Sequence, residues 1–156
     1  MNTTTAAHLA RSLLRKHGLT DWTFQFDRAK RRFGLCNYRT RTISLSAPLV
    51  ALNSEERVRN TILHEIAHAL APGHGHDYVW RMRARSIGCD WSRCYDAETV
   101  ERPAGAWRGT CPSCGYTSER HRLTDKAQRS ACAACCKRHA GGRFDDRFLF
   151  VWTRAQ

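Results

Sequence analysis

The residues with the clearest chemical potential are two histidines four positions apart, His64 and His68, with Glu65 directly after the first. On an α-helix, residues four apart lie above one another on one face, so both imidazoles can bind a single Zn²⁺. Glu65 would lie beside them, where a carboxylate can accept a proton from a water that the ion activates. The spacing therefore predicts a catalytic zinc site with Glu65 as general base.

A third ligand must come from outside this helix. Pro72 and Gly73 end the helix and let the chain turn back, which makes His74 the first candidate. Metzincins also place a histidine ten residues after the first, but Ala71 stands where they carry glycine, and Met82 comes too soon for their methionine turn.

Cysteine spacing predicts a second metal site. Two Cys-x-x-Cys pairs, Cys111 with Cys114 and Cys132 with Cys135, are separated by 17 residues, within the range typical of zinc sites. Four thiolates close the coordination shell, so this ion would only stabilise the fold. Cys136 and His139 are alternatives to Cys135 as the fourth ligand. We therefore expect two zinc ions, one catalytic and one structural.

Apolar patterns predict the elements that position these residues. They indicate a first helix from about Thr5 to His17, three short strands, a helix capped by Asn53 that carries the histidines, and a further helix capped by Asp77. We expect an α+β fold with a small, mostly antiparallel sheet in a metallopeptidase domain, residues 1–105. A zinc-ribbon domain, residues 106–156, would follow.

The composition favours a polyanionic partner. The chain of 156 residues has 26 Lys and Arg against 14 Asp and Glu, a formal net charge of +12, which indicates DNA above all. No apolar run is long enough to span a membrane. The first helix is acid-poor like a mitochondrial transit peptide, but the stop at Gly18 before a predicted strand favours a folded element. The paired thiols favour a reducing compartment, so we expect a cytoplasmic protein, nucleoid-associated in a prokaryote or nuclear in a eukaryote.

Taken together, the motifs resemble those of the SprT-like (Spartan-related) zinc metalloprotease family. The resemblance spans nearly the whole chain and rests on ISLS at 43–46, HEIAH at 64–68, GHGHDYVW at 73–80 and the cysteine-rich segments from CPSCG to CAACCKRHAGGRFDDRF. It implies a zincin-like domain, with the first histidine of Gly-His-Gly, here His74, as third ligand. His76 stands where many members of that family carry another residue type, so the resemblance makes it a weaker candidate, as a ligand or as a group that supports one. It also implies a peptidase whose substrates are proteins bound or crosslinked to DNA.

Several roles stay open at this point. His76, Tyr78 and Tyr95 are candidates for stabilising the oxyanion, and an edge strand of the predicted hairpin could pair with the substrate backbone. A zinc-stabilised nucleic-acid-binding module without protease activity is the alternative function. A third hypothesis is a protease whose main substrate is its own chain.

Overall fold

A computed structural model of the protein describes residues 1–90 and 100–155. The chain divides into two compact units, Met1–Pro103 and Ala104–Gln156, each with its own core of buried residues. The boundary expected from the sequence lies between residues 105 and 106. Within the described ranges, no helix has the length and apolar character needed to span a membrane.

The first unit combines helices with a three-stranded sheet, and the predicted α+β class is confirmed. Its elements are α1 (Thr3–Lys16), β1 (Thr23–Asp27), β2 (Gly34–Asn37), β3 (Thr42–Ser46), α2 (Ala47–Leu52), α3 (Glu55–Leu70) and α4 (Tyr78–Ser86). The side chain of Asn2 caps α1 by accepting a hydrogen bond from the Thr5 amide, and Gly18 follows the helix with φ +75°. Glycine adopts that conformation without strain, so α1 ends where the sequence predicts.

Strand β3 lies at the centre of the sheet, whose order is β1-β3-β2. The expected sheet was mostly antiparallel: the hairpin partner β2 is antiparallel to β3, whereas β1 pairs with β3 in parallel. All five residues of β3 are buried. Its polar side chains are satisfied by hydrogen bonds, including Ser44 Oγ to Asp27 Oδ2 at 2.9 Å. Burial on both faces is therefore compatible with the alternating Thr-Ile-Ser-Leu-Ser sequence.

Helix α3 packs through Val58, Ile62, Leu63 and Ile66 into the aliphatic core. Its N-cap is Ser54, whose hydroxyl accepts from the Arg57 amide, and not Asn53 as the sequence predicted. The Asn53 side chain is occupied elsewhere: Nδ2 donates to the carbonyls of Leu49 and Glu101, and Oδ1 accepts from the Glu101 amide. The cap therefore lies one residue further along the chain.

A second asparagine uses its side chain in the same way. Asn60 Nδ2 donates to the Asp90 carbonyl at 2.9 Å, and the Asp90 amide donates back to Asn60 Oδ1 at 2.7 Å. Asn53 and Asn60 thus each bind a backbone segment through a paired donor and acceptor. These two pairs of hydrogen bonds hold Asp90 next to Asn60 in α3, and Glu101 next to Asn53 just before α3.

The second unit is built around an antiparallel sheet of order β5-β4-β6. Its elements are β4 (Trp107–Thr110), β5 (Thr117–Arg120), α5 (Asp125–Gln128), α6 (Ala133–His139), a 3₁₀ turn (Asp146–Phe148) and β6 (Val151–Arg154). The buried core consists of four cysteines and Phe148, with Ala131 and Phe150 packed against them. Such a core contains little apolar area, so this unit depends on its cysteines for stability.

Candidate active site and metal centres

Three histidines of the first unit converge on one point. His64 and His68 project from the same face of α3, and His76 approaches from the loop between α3 and α4. Their Nε2 atoms are 3.2 Å apart between His64 and His68, and 3.1 Å apart for each of the two pairs that include His76. Three imidazole nitrogens therefore share a space that one small cation would fill.

The separations fit a zinc site. With Zn–N bonds of about 2.0–2.1 Å, two ligands of a tetrahedral ion lie about 3.3–3.4 Å apart. The observed separations of 3.1–3.2 Å agree with that geometry to within a few tenths of an ångström. Three ligands also leave a fourth position, which a catalytic site requires.

The Trp80 ring packs against all three imidazole rings. It is fully buried in the first turn of α4, and its ring centroid lies 4.7 Å from that of His64, 5.1 Å from His68 and 4.6 Å from His76. Burial and the neighbouring His64 and His76 lower the pKa of His68 to about 4, and burial also lowers the pKa of His76. Both rings are therefore neutral near pH 7, which is the form that binds metal.

The third position of this cluster is occupied by His76, so the prediction of His74 is corrected. The His74 side chain is partly exposed and points away, with Nδ1 2.8 Å from Asp77 Oδ2. Gly73, at φ +82°, begins a turn in which the His74 amide donates to the Ala71 carbonyl. Two more residues are needed before the chain passes back over α3, which brings His76 to the cluster.

Neighbouring groups hold the loop in this position. Arg81 Nε donates to the His76 carbonyl at 3.0 Å, and Asp77 Oδ1 accepts from the Trp80 amide to cap α4. His68 forms a hydrogen bond with the backbone of His74. His74 therefore contributes to the site through its backbone, and its side chain helps to fix Asp77. The sequence offers no local signal that separates the two histidines, since His74 lies four residues before Tyr78 and His76 lies four residues before Trp80.

Glu65 lies buried beside the histidines, 7% exposed, between α3 and β2. It lines a cavity of about 160 Å³ together with His64, Gly34, Thr61 and Phe33. A larger cavity of about 220 Å³ lies towards the start of α3, but it contains none of the converging histidines. The chemistry of the lining residues, and not the volume, therefore identifies the smaller cavity as the candidate active site.

The remaining candidates for oxyanion stabilisation receive less support. Tyr78 is 74% exposed at the start of α4, and His76 already belongs to the histidine cluster. Tyr95 lies outside the described residues. Tyr38, which the sequence did not single out, donates its hydroxyl to the His68 carbonyl at 2.8 Å and so connects β2 to the metal-binding turn of α3.

Comparison with known proteins agrees with this fold. The family model described as "SprT-like family" matches residues 4–100, more than half of the chain. The chain belongs to the SprT-like family. The SprT-like match covers the histidine site and ends before the cysteine-rich unit.

Relatives of this SprT-like chain include curated bacterial proteins. Protein SprT of Pseudomonas putida strain W619 is 25% identical over 115 residues, which cover 65% of this chain and 69% of that protein. Protein SprT of Pseudomonas entomophila strain L48 is 24% identical over the same length. Among solved structures, the metallopeptidase zymogen jannalysin of Methanocaldococcus jannaschii matches with a TM-score of 0.50 and 18% identity, covering 60% of this chain and 89% of the other. The SprT-like domain thus has the fold of a metallopeptidase.

The second unit of this SprT-like chain contains a four-cysteine cluster. Sγ of Cys111 lies 3.8 Å from Sγ of Cys135, and Sγ of Cys114 lies 3.8 Å from Sγ of Cys132. Zn–S bonds of about 2.3 Å place two ligands of a tetrahedral ion about 3.8 Å apart, so the thiols fit zinc. Burial alone would raise the pKa of Cys111, but hydrogen bonds with the backbone of Cys114 and Ser113 and with the Cys114 and Cys135 thiols together lower it to about 7. Burial and the neighbouring thiols raise the pKa of Cys135 to about 12, so the two thiols of this pair shift in opposite directions.

The two alternatives for the fourth ligand lie outside this cluster. Cys136 follows Cys135 on α6 but is buried in the small core of the unit, and the His139 ring packs against Phe148 with centroids 5.7 Å apart. Gly115, at φ +73°, provides the tight turn that brings Cys114 back towards Cys111. The four cysteines that the sequence indicated are therefore the ones that the structure brings together.

A row of aromatic side chains with an arginine at its end crosses the sheet of the second unit. Tyr116, 61% exposed, lies 6.3 Å from Phe150, and Phe150 lies 5.8 Å from Trp152, measured between ring centroids. The Arg120 guanidinium lies over the Trp152 ring at 5.9 Å. Gly109 of β4 has no side chain to obstruct the Trp152 ring, which passes within 2.9 Å of where a Cβ would be. We call Tyr116, Phe150, Trp152 and Arg120 the aromatic row.

Proposed function

We propose that this SprT-like chain is a zinc-dependent peptidase whose substrates are proteins bound or crosslinked to DNA. The observation that carries the peptidase part is the cluster of His64, His68 and His76 with Glu65 buried beside it. A purely structural zinc site has no use for an adjacent buried carboxylate. A site for hydrolysis needs one to accept a proton.

The three imidazoles would hold Zn²⁺, which when bound polarises a carbonyl and lowers the pKa of water towards neutrality. Glu65 would accept the proton of the attacking water and transfer it to the nitrogen of the leaving amine. The cavity beside Glu65 and His64 gives the scissile peptide access to the carboxylate. His76 is a metal ligand in this assignment, and the partly exposed His74 side chain has no direct role.

Strand β2 is the candidate for binding the substrate backbone. It lies at one edge of the sheet, and Gly34 at its start lines the active-site cavity. An extended peptide could add to this edge through main-chain hydrogen bonds, which recognise backbone irrespective of most side chains. Such binding would give broad sequence tolerance, so another feature must determine which proteins are cleaved.

The second unit could provide that selection by binding DNA. Residues 104–155 carry ten Lys and Arg against four Asp and Glu. The aromatic row presents neighbouring, mutually tilted rings beside a guanidinium, a combination that suits unpaired bases and phosphates. Nucleic acid bound there would raise the local concentration of proteins attached to the same strand. The four-cysteine zinc site would keep this surface folded.

The test is cleavage of a DNA-binding protein by the zinc-loaded chain, with and without single-stranded DNA, alongside Glu65→Gln. We expect the wild type to cleave faster with DNA, and E65Q to retain zinc and its fold while losing cleavage. DNA-independent cleavage would contradict the substrate class but leave the peptidase. If the zinc-loaded wild type cleaves neither DNA-bound nor free protein, the peptidase proposal fails.

The alternative is a zinc-stabilised nucleic-acid-binding module without protease activity. The aromatic row and the basic second unit favour it independently of the histidine site. It predicts tight DNA binding by both wild type and E65Q, with no product from either. This alternative assigns no role to the buried Glu65.

A further inference from the structure

Gly34 of β2 lies directly against the side chain of Glu65. A Cβ placed on Gly34 would be 2.5 Å from Glu65 Oε1, 2.7 Å from Cγ and 2.9 Å from Cδ, distances that real Cβ atoms essentially never show. All three atoms belong to the same carboxylate-bearing side chain. Residue 34 is therefore a position at which even one methyl group would compete with Glu65 for space.

The backbone gives no separate reason for glycine at this position. The φ of Gly34 lies outside the left-handed range, unlike that of Gly18 or Gly73, and the residue pairs with Leu45 in regular antiparallel register. Alanine should in general stabilise a strand relative to glycine, because glycine loses more conformational freedom on folding. What the glycine provides is room for its neighbour on α3.

Strand β2 cannot readily move away from this contact. Tyr38, directly after β2, donates its hydroxyl to the His68 carbonyl on α3 at 2.8 Å. Cys36 lies on β2 between Gly34 and Tyr38. Burial, and to a smaller degree the charge of the nearby Glu65, raise the pKa of the Cys36 thiol to about 12, so this part of the strand also lies close to Glu65. Strand β2 also has its whole length paired with the buried β3. A side chain at position 34 would therefore have to displace Glu65 itself.

We propose that Gly34 is a positioning residue for Glu65: its missing side chain lets the carboxylate lie between β2 and α3, beside His64 and at the active-site cavity. The inference rests on the proposed function, because Glu65 matters as the general base of that site. This role requires no contact of Gly34 with metal or substrate. It determines where the carboxylate can lie.

A double-mutant comparison of thermal stability tests the contact without any activity assay. Gly34→Ala is introduced into the wild type, into E65Q, which keeps the size of the side chain, and into E65A, which removes the three atoms concerned. We expect the melting temperature to fall by several degrees in the first two backgrounds, and to stay level or rise in E65A. Aspartate is unsuitable for this purpose, since its carboxyl carbon would lie near the position of Glu65 Cγ.

Kinetics of the zinc-loaded G34A variant test the positioning role. We expect zinc content equal to that of the wild type, kcat lower by about 100-fold and KM within about twofold, because a displaced base impairs the chemical step and leaves binding intact. Equal stability changes in the wild-type and E65A backgrounds, or wild-type kcat in zinc-loaded G34A, would overturn the proposal. If the wild type itself cleaves nothing, the proposed function fails, and the stability comparison still decides whether the contact exists.

Discussion

Replacing His76 with alanine should remove the metal from the first unit, whereas replacing His74 should not. The two residues are separated by a single glycine, yet only His76 brings Nε2 to 3.1 Å from both His64 and His68. His74 instead lies with Nδ1 2.8 Å from Asp77 Oδ2 and is partly exposed. The pair therefore provides a matched comparison, with the same residue type, the same loop and opposite expected outcomes.

The size of the effect follows from sharing the binding energy among ligands. Structural zinc sites with four ligands bind with about 10–16 kcal/mol, or roughly 2.5–4 kcal/mol per ligand. Loss of the His76 imidazole should therefore weaken zinc binding by about 10²–10³-fold. For His74→Ala we expect a change of less than about tenfold, the lower end of what loss of an outer partner costs a metal site.

The assay is zinc per chain by elemental analysis after dialysis against a chelator of moderate affinity, followed by a competition titration. Wild type and His74→Ala should retain two ions, and His76→Ala should retain only the ion of the cysteine cluster. Circular dichroism is the control for folding. Because Trp80 packs against His76, its signal would also report a local rearrangement around the substituted residue. Retention of two ions by His76→Ala, with loss of one by His74→Ala, would refute the assignment of the third ligand.

Three further predictions concern stability, the second metal and DNA. Asn53→Ala should lower the free energy of unfolding by about 2–4 kcal/mol in urea titrations, because the 6%-exposed side chain makes three hydrogen bonds with the backbone of Leu49 and Glu101 that alanine cannot make; no change would mean that water replaces them. Cys135→Ser should lose the second zinc and the fold of residues 104–155, and Cys136→Ser should keep both, as read by elemental analysis and limited proteolysis; the reverse pattern would reassign the fourth ligand. Tyr116→Ala should weaken single-stranded DNA binding by about tenfold in fluorescence anisotropy, within the 1–3 kcal/mol typical of base stacking, whereas Phe144→Ala, exposed to a similar degree outside the aromatic row, should not; equal effects would exclude stacking on the row.

The parts of the site that were predictable from the sequence are those that depend on local geometry. His64, Glu65 and His68 lie within two turns of one helix, so their relation follows from helical periodicity alone. Each cysteine pair likewise lies within a single turn or helix start. Such short-range relations hold wherever the element packs, and the structure retains them.

The errors concern relations between elements. Whether His74 or His76 reaches the helix depends on how many residues the turn after Gly73 uses before α4 begins, and both histidines satisfy the local rules. Asn53 has the chemistry of an N-cap, but its side chain binds Glu101, 48 residues away, and Ser54 takes the cap. The strand pattern likewise located β1 without revealing that it pairs with β3 in parallel.

The two candidate metal centres differ in their surroundings, which favours a structural role for one and a catalytic role for the other. Three of the four candidate thiol ligands, Cys111, Cys132 and Cys135, belong to the small buried core of their unit, so we expect an ion there to compensate for the apolar area that the unit lacks. The three imidazoles lie on a unit with a full aliphatic core, from Ala6 in α1 to Ala84 in α4. A metal held by three ligands on an already stable scaffold, with a buried carboxylate beside it, is placed for chemistry. We therefore expect the first unit to stay folded when the metal is removed, and the second to unfold.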